Sequence, residues 1–233
     1  MGRHVSLVGF GALLGACTAT HFERTDSLGD GNSAGQGDGT LYMEASVTAK
    51  PSVMNTTDAS LFDVSFRVFA KSTVGGDWSG AVTISSNSGE VPLAFDGATW
   101  VGTVSGYEQV YQLDIDSDVG YVHGVRLEGP DIHRITTPSM GGTLHGSNDS
   151  VAWERGIAAS EVTLTSATGD YVYIPVDVGV TVDNGLAIGV DPNNTLTVTR
   201  TNRIEPAGAG GFNGASSQFS VNVSNSVDVL LVP

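Results

Sequence analysis

The feature that most limits the folds open to this chain is the two-residue rhythm of its apolar side chains, clearest in residues 61–68, Leu-Phe-Asp-Val-Ser-Phe-Arg-Val. There Phe62, Val64, Phe66 and Val68 fall on one side, with Asp63, Ser65 and Arg67 on the other. A period of two belongs to a half-buried β-strand, one face on a core and one in water. Short runs of the same kind follow at 81–85, 91–95, 99–104, 110–116 and 121–127, each set off by Gly, Asn, Asp or Ser. A second series follows at 150–154, 161–165, 171–176, 179–182, 186–190, 195–200, 218–223 and 227–232. Between the two series stand Gly129-Pro130 and then Thr-Thr-Pro-Ser-Met-Gly-Gly at 136–142, which read as a connection. Strands at about 8–12-residue spacing with such punctuation predict antiparallel β-sandwiches. The expectation is an all-β body of two units in tandem, 41–133 and 134–233, with one continuous sandwich as the alternative.

Composition agrees with this. Of 233 residues 31 are Gly, and charged residues are 15%, against about 25% in an average soluble domain. The net charge is −15. Lys50, Arg67, Lys71, Arg126, Arg134, Arg155, Arg200 and Arg203 are scattered along the body, whereas binding a phosphate backbone needs clustered bases, so nucleic acid is excluded as a partner. Cys17 is the one cysteine. The body therefore has no disulfide, thiol nucleophile or cysteine metal site and must be held by packing. No apolar run after residue 17 approaches the roughly 20 residues of a membrane-spanning helix.

The amino-terminal 17 residues read MGRHVSLVGFGALLGAC, with Arg3 before an apolar stretch at 5–14. That stretch has the length of an export signal and is too short to span a bilayer. Its end, Leu14-Gly15-Ala16-Cys17, resembles the lipobox of bacterial lipoproteins. The resemblance implies cleavage of a 1–16 signal peptide between Ala16 and Cys17, a diacylglycerol on the Cys17 sulfur and an acylated new amino terminus. The partner would then be a lipid bilayer, and Thr18, where an inner-membrane retention signal would put Asp, points to the outer membrane. An ordinary signal peptide is the alternative, and a Met1–Ser6 match to a myristoylation pattern yields to the apolar stretch behind it.

Residues 17–40 are rich in Gly, Asp, Ser and Asn and predict a disordered tether. Its 23 residues after Cys17 would span about 25–30 Å root-mean-square. Within it, Gly31-Asn32-Ser33-Ala34-Gly35 mimics a nucleophile elbow and 29–34 mimics a dinucleotide fingerprint, but neither has the strand before and helix after that the chemistry requires.

Residues 105–115, Ser-Gly-Tyr-Glu-Gln-Val-Tyr-Gln-Leu-Asp-Ile, resemble a late strand of bacterial immunoglobulin-like domains, with Tyr111, Leu113 and Ile115 turned inward. The resemblance implies an immunoglobulin-like sandwich, without the cysteine pair of antibody domains.

Candidate sites are few. Asp114, Asp116 and Asp118 would share one face of a strand, where carboxylates can hold calcium. A solvated outer face is the plainer reading, and no other cofactor is implied. His21, His123, His133 and His145 show no paired metal-ligand spacing. Tyr171 and Tyr173 share a face opposite Val172 and Ile174, and exposed aromatic pairs are how sandwich modules stack on sugars. No serine is marked as activated, and Glu108, Glu128, Glu154 and Glu161 are not marked as a catalytic pair. The function expected is a non-catalytic, lipid-anchored surface protein of structural or attachment role. The alternatives are a glycan- or protein-binding module of adhesion or uptake, calcium-dependent in one version, and a hydrolase with an unmarked site.

Overall fold

The computed structural model describes residues 28, 31–145, 149–167, 169, 171–181 and 194–232. The alternation in the sequence becomes the inward and outward alternation of strands. From the amino terminus these are β1 (Ser33–Gly37), β2 (Leu41–Pro51), β3 (Phe62–Ser72), β4 (Gly80–Ser86), β5 (Gly89–Pro92), β6 (Ala94–Phe95), β7 (Trp100–Ser105), β8 (Val110–Ser117) and β9 (Tyr121–Glu128). They continue as β10 (Ile135–Thr137), β11 (Gly142–Leu144), β12 (Val151–Trp153), β13 (Glu161–Ser166), β14 (Tyr171–Ile174), β15 (Val180–Thr181), β16 (Asn194–Ile204) and β17 (Gln218–Leu231). The expected all-β sandwich is the fold.

One large sheet, ordered β14-β13-β16-β17-β2-β3-β7-β6 with β11 beside the end of β17, underlies the whole body. A five-stranded sheet, β1-β9-β8-β4-β5, covers one half of it, and a three-stranded sheet, β10-β12-β15, covers the other. Two cores result. The first gathers Phe62, Phe66, Ile84, Tyr111, Leu113 and Leu127 with their neighbours. The second gathers Ile135, Leu144, Trp153, Leu164, Leu196 and Val227.

The chain does not divide between the cores at residue 133, as the sequence led us to expect. Residues 218–223 and 227–232, read as separate strands, belong to the single strand β17 as far as residue 231. Its Phe219, Val221 and Val223 complete the first core, and its Val227 and Val229 the second. β16 pairs with it antiparallel throughout. On its other side β17 lies parallel to β2 from Gln218↔Glu44 to Val223↔Ala49, then parallel to β11 from Gly142↔Val229. Where one neighbour gives way to the other, the buried Asn225 amide donates to the carbonyls of Thr56 at 2.8 Å and His133 at 2.7 Å. Backbone groups that would otherwise be buried without a partner are thereby satisfied. The connection read at 136–142 likewise contributes to β10 and β11.

Charged bonds close the seam between the cores. Arg200, fully buried on β16, donates from Nε to Asp177 at 2.8 Å and from Nη1 to the Asp131 carbonyl at 2.8 Å, and its Nη2 reaches the Ile157 carbonyl. Asp177 also accepts the Trp153 indole N–H and the Ala159 amide, each at 2.9 Å. Burial alone would raise the Asp177 carboxyl, but the Ala159 amide and Arg200 outweigh it and hold it below the usual range. A buried ion pair persists when its remaining lone pairs and protons are satisfied in this way.

The tether expected at 17–40 is ordered over its last part, where residues 33–37 form β1 against β9, from Ser33↔Arg126 to Gly37↔Val122. The glycines that suggested disorder permit close approach. A Cβ on Gly35, which has φ +67°, would lie 2.8 Å from Val125 Cγ2, and one on Gly37 would lie 2.6 Å from the Gly208 carbonyl oxygen. Backbone bonding rather than side-chain burial holds this edge. The signal peptide 1–16, Ala16, Cys17, the rest of the tether and the strand read at 186–190 lie outside the described residues.

The large sheet shows why so many Thr, Ser and Asn are present. On its outer face Thr197 pairs with Ser226, Thr199 with Ser224 and Thr201 with Asn222, each at 2.9 Å. Cross-strand hydroxyl pairs stabilise a sheet without charge.

Candidate functional site

On one side of the first sandwich both sheets end on strands whose edges are free among the described residues. β5 is the last strand of the five-stranded sheet, and beyond Val101 β7 pairs only with β3 among the described residues. A single run of chain makes this opening: it pairs as β5 in the smaller sheet and, past Leu93, continues as β6 in the larger. Leu93 packs over Gly102 of β7, where a Cβ would lie 2.7 Å from Leu93 Cδ2. The two free edges diverge from that crossing and enclose a cleft of about 660 Å³.

The floor of the cleft is Phe66, Ile84, Val91, Val104, Tyr107 and Tyr111. Tyr107 donates its phenol proton to the Pro130 carbonyl at 2.8 Å. The Tyr111 oxygen accepts the Glu108 amide three residues upstream at 3.0 Å. Burial pushes both phenols far above their usual range, so the floor is uncharged. The rim carries Ser60, Ser85, Ser88, Thr103, Glu90 and Glu108, and the Ser88 hydroxyl bonds the Glu108 carboxylate across the mouth. The site offers an apolar trough of ligand-binding size, hydroxyl hydrogen bonds and negative charge.

The three aspartates singled out in the sequence are not gathered together. Asp114 accepts the Gly124 amide at 2.7 Å, at the bulge in the β8–β9 register, and Gln112 Nε2 at 2.9 Å. Asp116 pairs with His123 Nε2 at 2.7 Å. Asp118 lies past the end of β8 and accepts Ser79 N at 2.9 Å and Oγ at 3.0 Å. Those Ser79 bonds hold its carboxyl below the usual range. The expectation of one shared face fails because Asp118 has left the strand, and among the described residues no three such ligands converge on a metal position.

Tyr171 and Tyr173 stand on β14, the edge of the large sheet, 61% and 50% exposed. Val172 and Ile174 pack against the second core, as their alternation implied. A hydrogen bond to Glu161 raises the Tyr173 phenol, and Glu161 is in turn paired with Arg203. The two rings therefore project beside a small charged group.

Sequence reasoning did not find the cleft. Its one local signal is Pro92 inside the strand read at 91–95, since proline within a strand marks an edge or an irregularity.

Comparison with known proteins adds little. No protein-family model matches the chain, and no curated protein matches it. Among solved structures, a similar chain comes from a study of host cell surface retention of a 1.5-MDa bacterial ice-binding adhesin. It is 15% identical, and the likeness covers 81% of this chain and 66% of that one at a TM-score of 0.22. So weak a likeness carries no argument about function.

Proposed function

We propose that this chain is a non-catalytic protein of a bacterial cell surface, anchored in the outer membrane through an acylated Cys17, whose body serves attachment by holding a ligand in the cleft between β5 and β7. The observation that carries the reading is the cleft itself, an uncharged apolar floor opened between two free strand edges and rimmed by hydroxyls and carboxylates. The Leu14-Gly15-Ala16-Cys17 sequence supports the anchor, because two or three acyl chains give stable attachment where one does not.

Two experiments test this reading. Cys17→Ser should abolish incorporation of radiolabelled lipid, and undiminished label would remove the anchor. Val104→Trp places an indole in the cleft. On combined glycan and peptide arrays this variant should lose the ligands that the wild type retains while unfolding at an unchanged midpoint. Equal binding by both proteins would remove the cleft from the function.

A second reading rests on Tyr171 and Tyr173, whose exposed rings on one edge strand suit stacking on a sugar. Arrays probed with Tyr171→Ala and Tyr173→Ala, with and without calcium, separate it from the first: the tyrosine variants would lose glycans that Val104→Trp keeps.

A further inference from the structure

We infer that the cleft accepts an extended polypeptide of a partner protein, added as a strand to the free edge of β7, with alternate apolar side chains in the trough and basic side chains facing Glu90 and Glu108. This rests on the reading of the cleft as the attachment site and specifies what it takes.

The edge is defined by hydrogen-bond alternation. In an antiparallel pair, successive residues turn their N–H and C=O alternately toward the neighbouring strand and away from it. Gly106 donates to the Phe62 carbonyl at 2.7 Å, so Val104 and Gly102, two and four residues earlier, also face β3. At the opposite end of β7 the Asp96 amide donates to the Thr99 carbonyl at 2.9 Å, so Thr99 and Val101 face β6. β6 ends at Phe95, paired with Trp100. Thr103 and Ser105 continue the outward series with no strand beyond them among the described residues, and each directs one N–H and one C=O into the opening.

The opposite lip is less able to accept a strand. Leu93 donates to the Val82 carbonyl at 2.8 Å, so Glu90 and Pro92 are the β5 residues turned outward, and proline has no N–H to give. A strand entering the cleft therefore pairs with β7, in line with β6. Residues 102–105 give it about 13 Å of edge, at about 3.3 Å per residue. Side chains alternate, so every second residue of the incoming segment would lie over Phe66, Val104 and Tyr107 while the others face out with Thr103 and Ser105.

Charge selects the partner. Glu90 and Glu108 are the charged side chains of the lining, and the chain carries −15 overall. A second copy would bring like charge to an acidic mouth, whereas a basic segment is drawn to it. Strand addition of this kind takes affinity from main-chain bonds and selectivity from alternate pockets.

The test uses the whole protein and a synthetic peptide, Lys-Lys-Val-Thr-Val-Thr-Val-Lys-Lys, with two analogues N-methylated at alternate residues in either register. The expected result is saturable binding and at least tenfold slower amide exchange at Thr103 and Ser105. One of the methylated analogues should bind at least tenfold more weakly. Thr103→Pro removes an outward N–H, places its ring at the pairing edge and takes no donor from the bonds to β3, so it should weaken binding by a similar factor, and joint Glu90→Gln and Glu108→Gln should flatten the dependence on salt. No binding at millimolar peptide, equal binding by both methylated analogues, or binding that leaves Thr103 and Ser105 unprotected would overturn strand addition. If array ligands still depended on Val104 in that case, the attachment reading would stand and only the strand would fall. If Val104→Trp changed nothing, both would fall.

Discussion

The two halves of the molecule hold their shape by different means. In the first, long strands interlock Phe62, Phe66, Trp100, Tyr111 and Phe219 into an apolar, aromatic core. In the second, the covering sheet is made of strands two or three residues long, and Trp153 is the aromatic among aliphatic neighbours. So short a cover buries little apolar surface. The balance is made up at the seam by Arg200, Asp177, His133 and Asn225, all buried. The contrast shows a change in the kind of closure: apolar packing is non-directional, whereas a buried polar network holds only where donors meet acceptors, and it responds to pH.

The sharpest way to break this comparison is Arg200→Met, which strands the Asp177 carboxylate in the interior. It should cost about 3–5 kcal/mol in urea unfolding, and a loss below about 1 kcal/mol would mean that the ion pair does not hold the seam. Leu113→Ala in the first core and Leu164→Ala in the second should each cost about 2–5 kcal/mol. Because β17 runs through both cores, each variant should unfold in a single transition, and two separated transitions would show that the halves come apart independently.

Burial and the nearby Arg200 lower the His133 imidazole from its ordinary 6.5 to about 4. Above pH 6.5 neither folded nor unfolded chain holds that proton, and this share of stability is intact. As pH falls from 6.5 to about 4, the unfolded chain takes up a proton that the folded one refuses, and up to about 3 kcal/mol is lost. In His133→Gln, unfolding compared at neutral and mildly acid pH should show a smaller loss, and an unchanged pH dependence would move the acid sensitivity elsewhere. Tyr171→Ala and Tyr173→Ala bear on neither core and should change the unfolding free energy by less than about 0.5 kcal/mol.

Much of the first half was legible in the sequence because its strands alternate strictly. The runs read at 81–85, 110–116 and 121–127 are Gly80–Ser86, Val110–Ser117 and Tyr121–Glu128. β2 was not read, although Leu41, Met43, Ala45, Val47 and Ala49 all point inward. Two alanines among those five dilute the apolar signal. β1 was hidden by its glycines, which look like disorder until the partner strand is known. The seam had no local signature, since Arg200 meets Asp177 across 23 residues of sequence and Asn225 meets His133 across 92. The cleft was illegible for a related reason: it arises from which strands lack neighbours, a property of topology that no single segment carries. The Asp114–Asp118 spacing misled because it assumed that the strand continued.

The parallel alignment of β2 with β17 decides how the body answers a pull. Tension applied to the chain ahead of Leu41 and beyond Leu231 draws these two neighbours in opposite directions along their own axes. The bonds between Gln218↔Glu44 and Val223↔Ala49 then share the load in shear, whereas a hairpin pulled from its open end unzips bond by bond. A body tethered on one side and tugged from the other would yield by sliding strands past each other, the more resistant of the two routes.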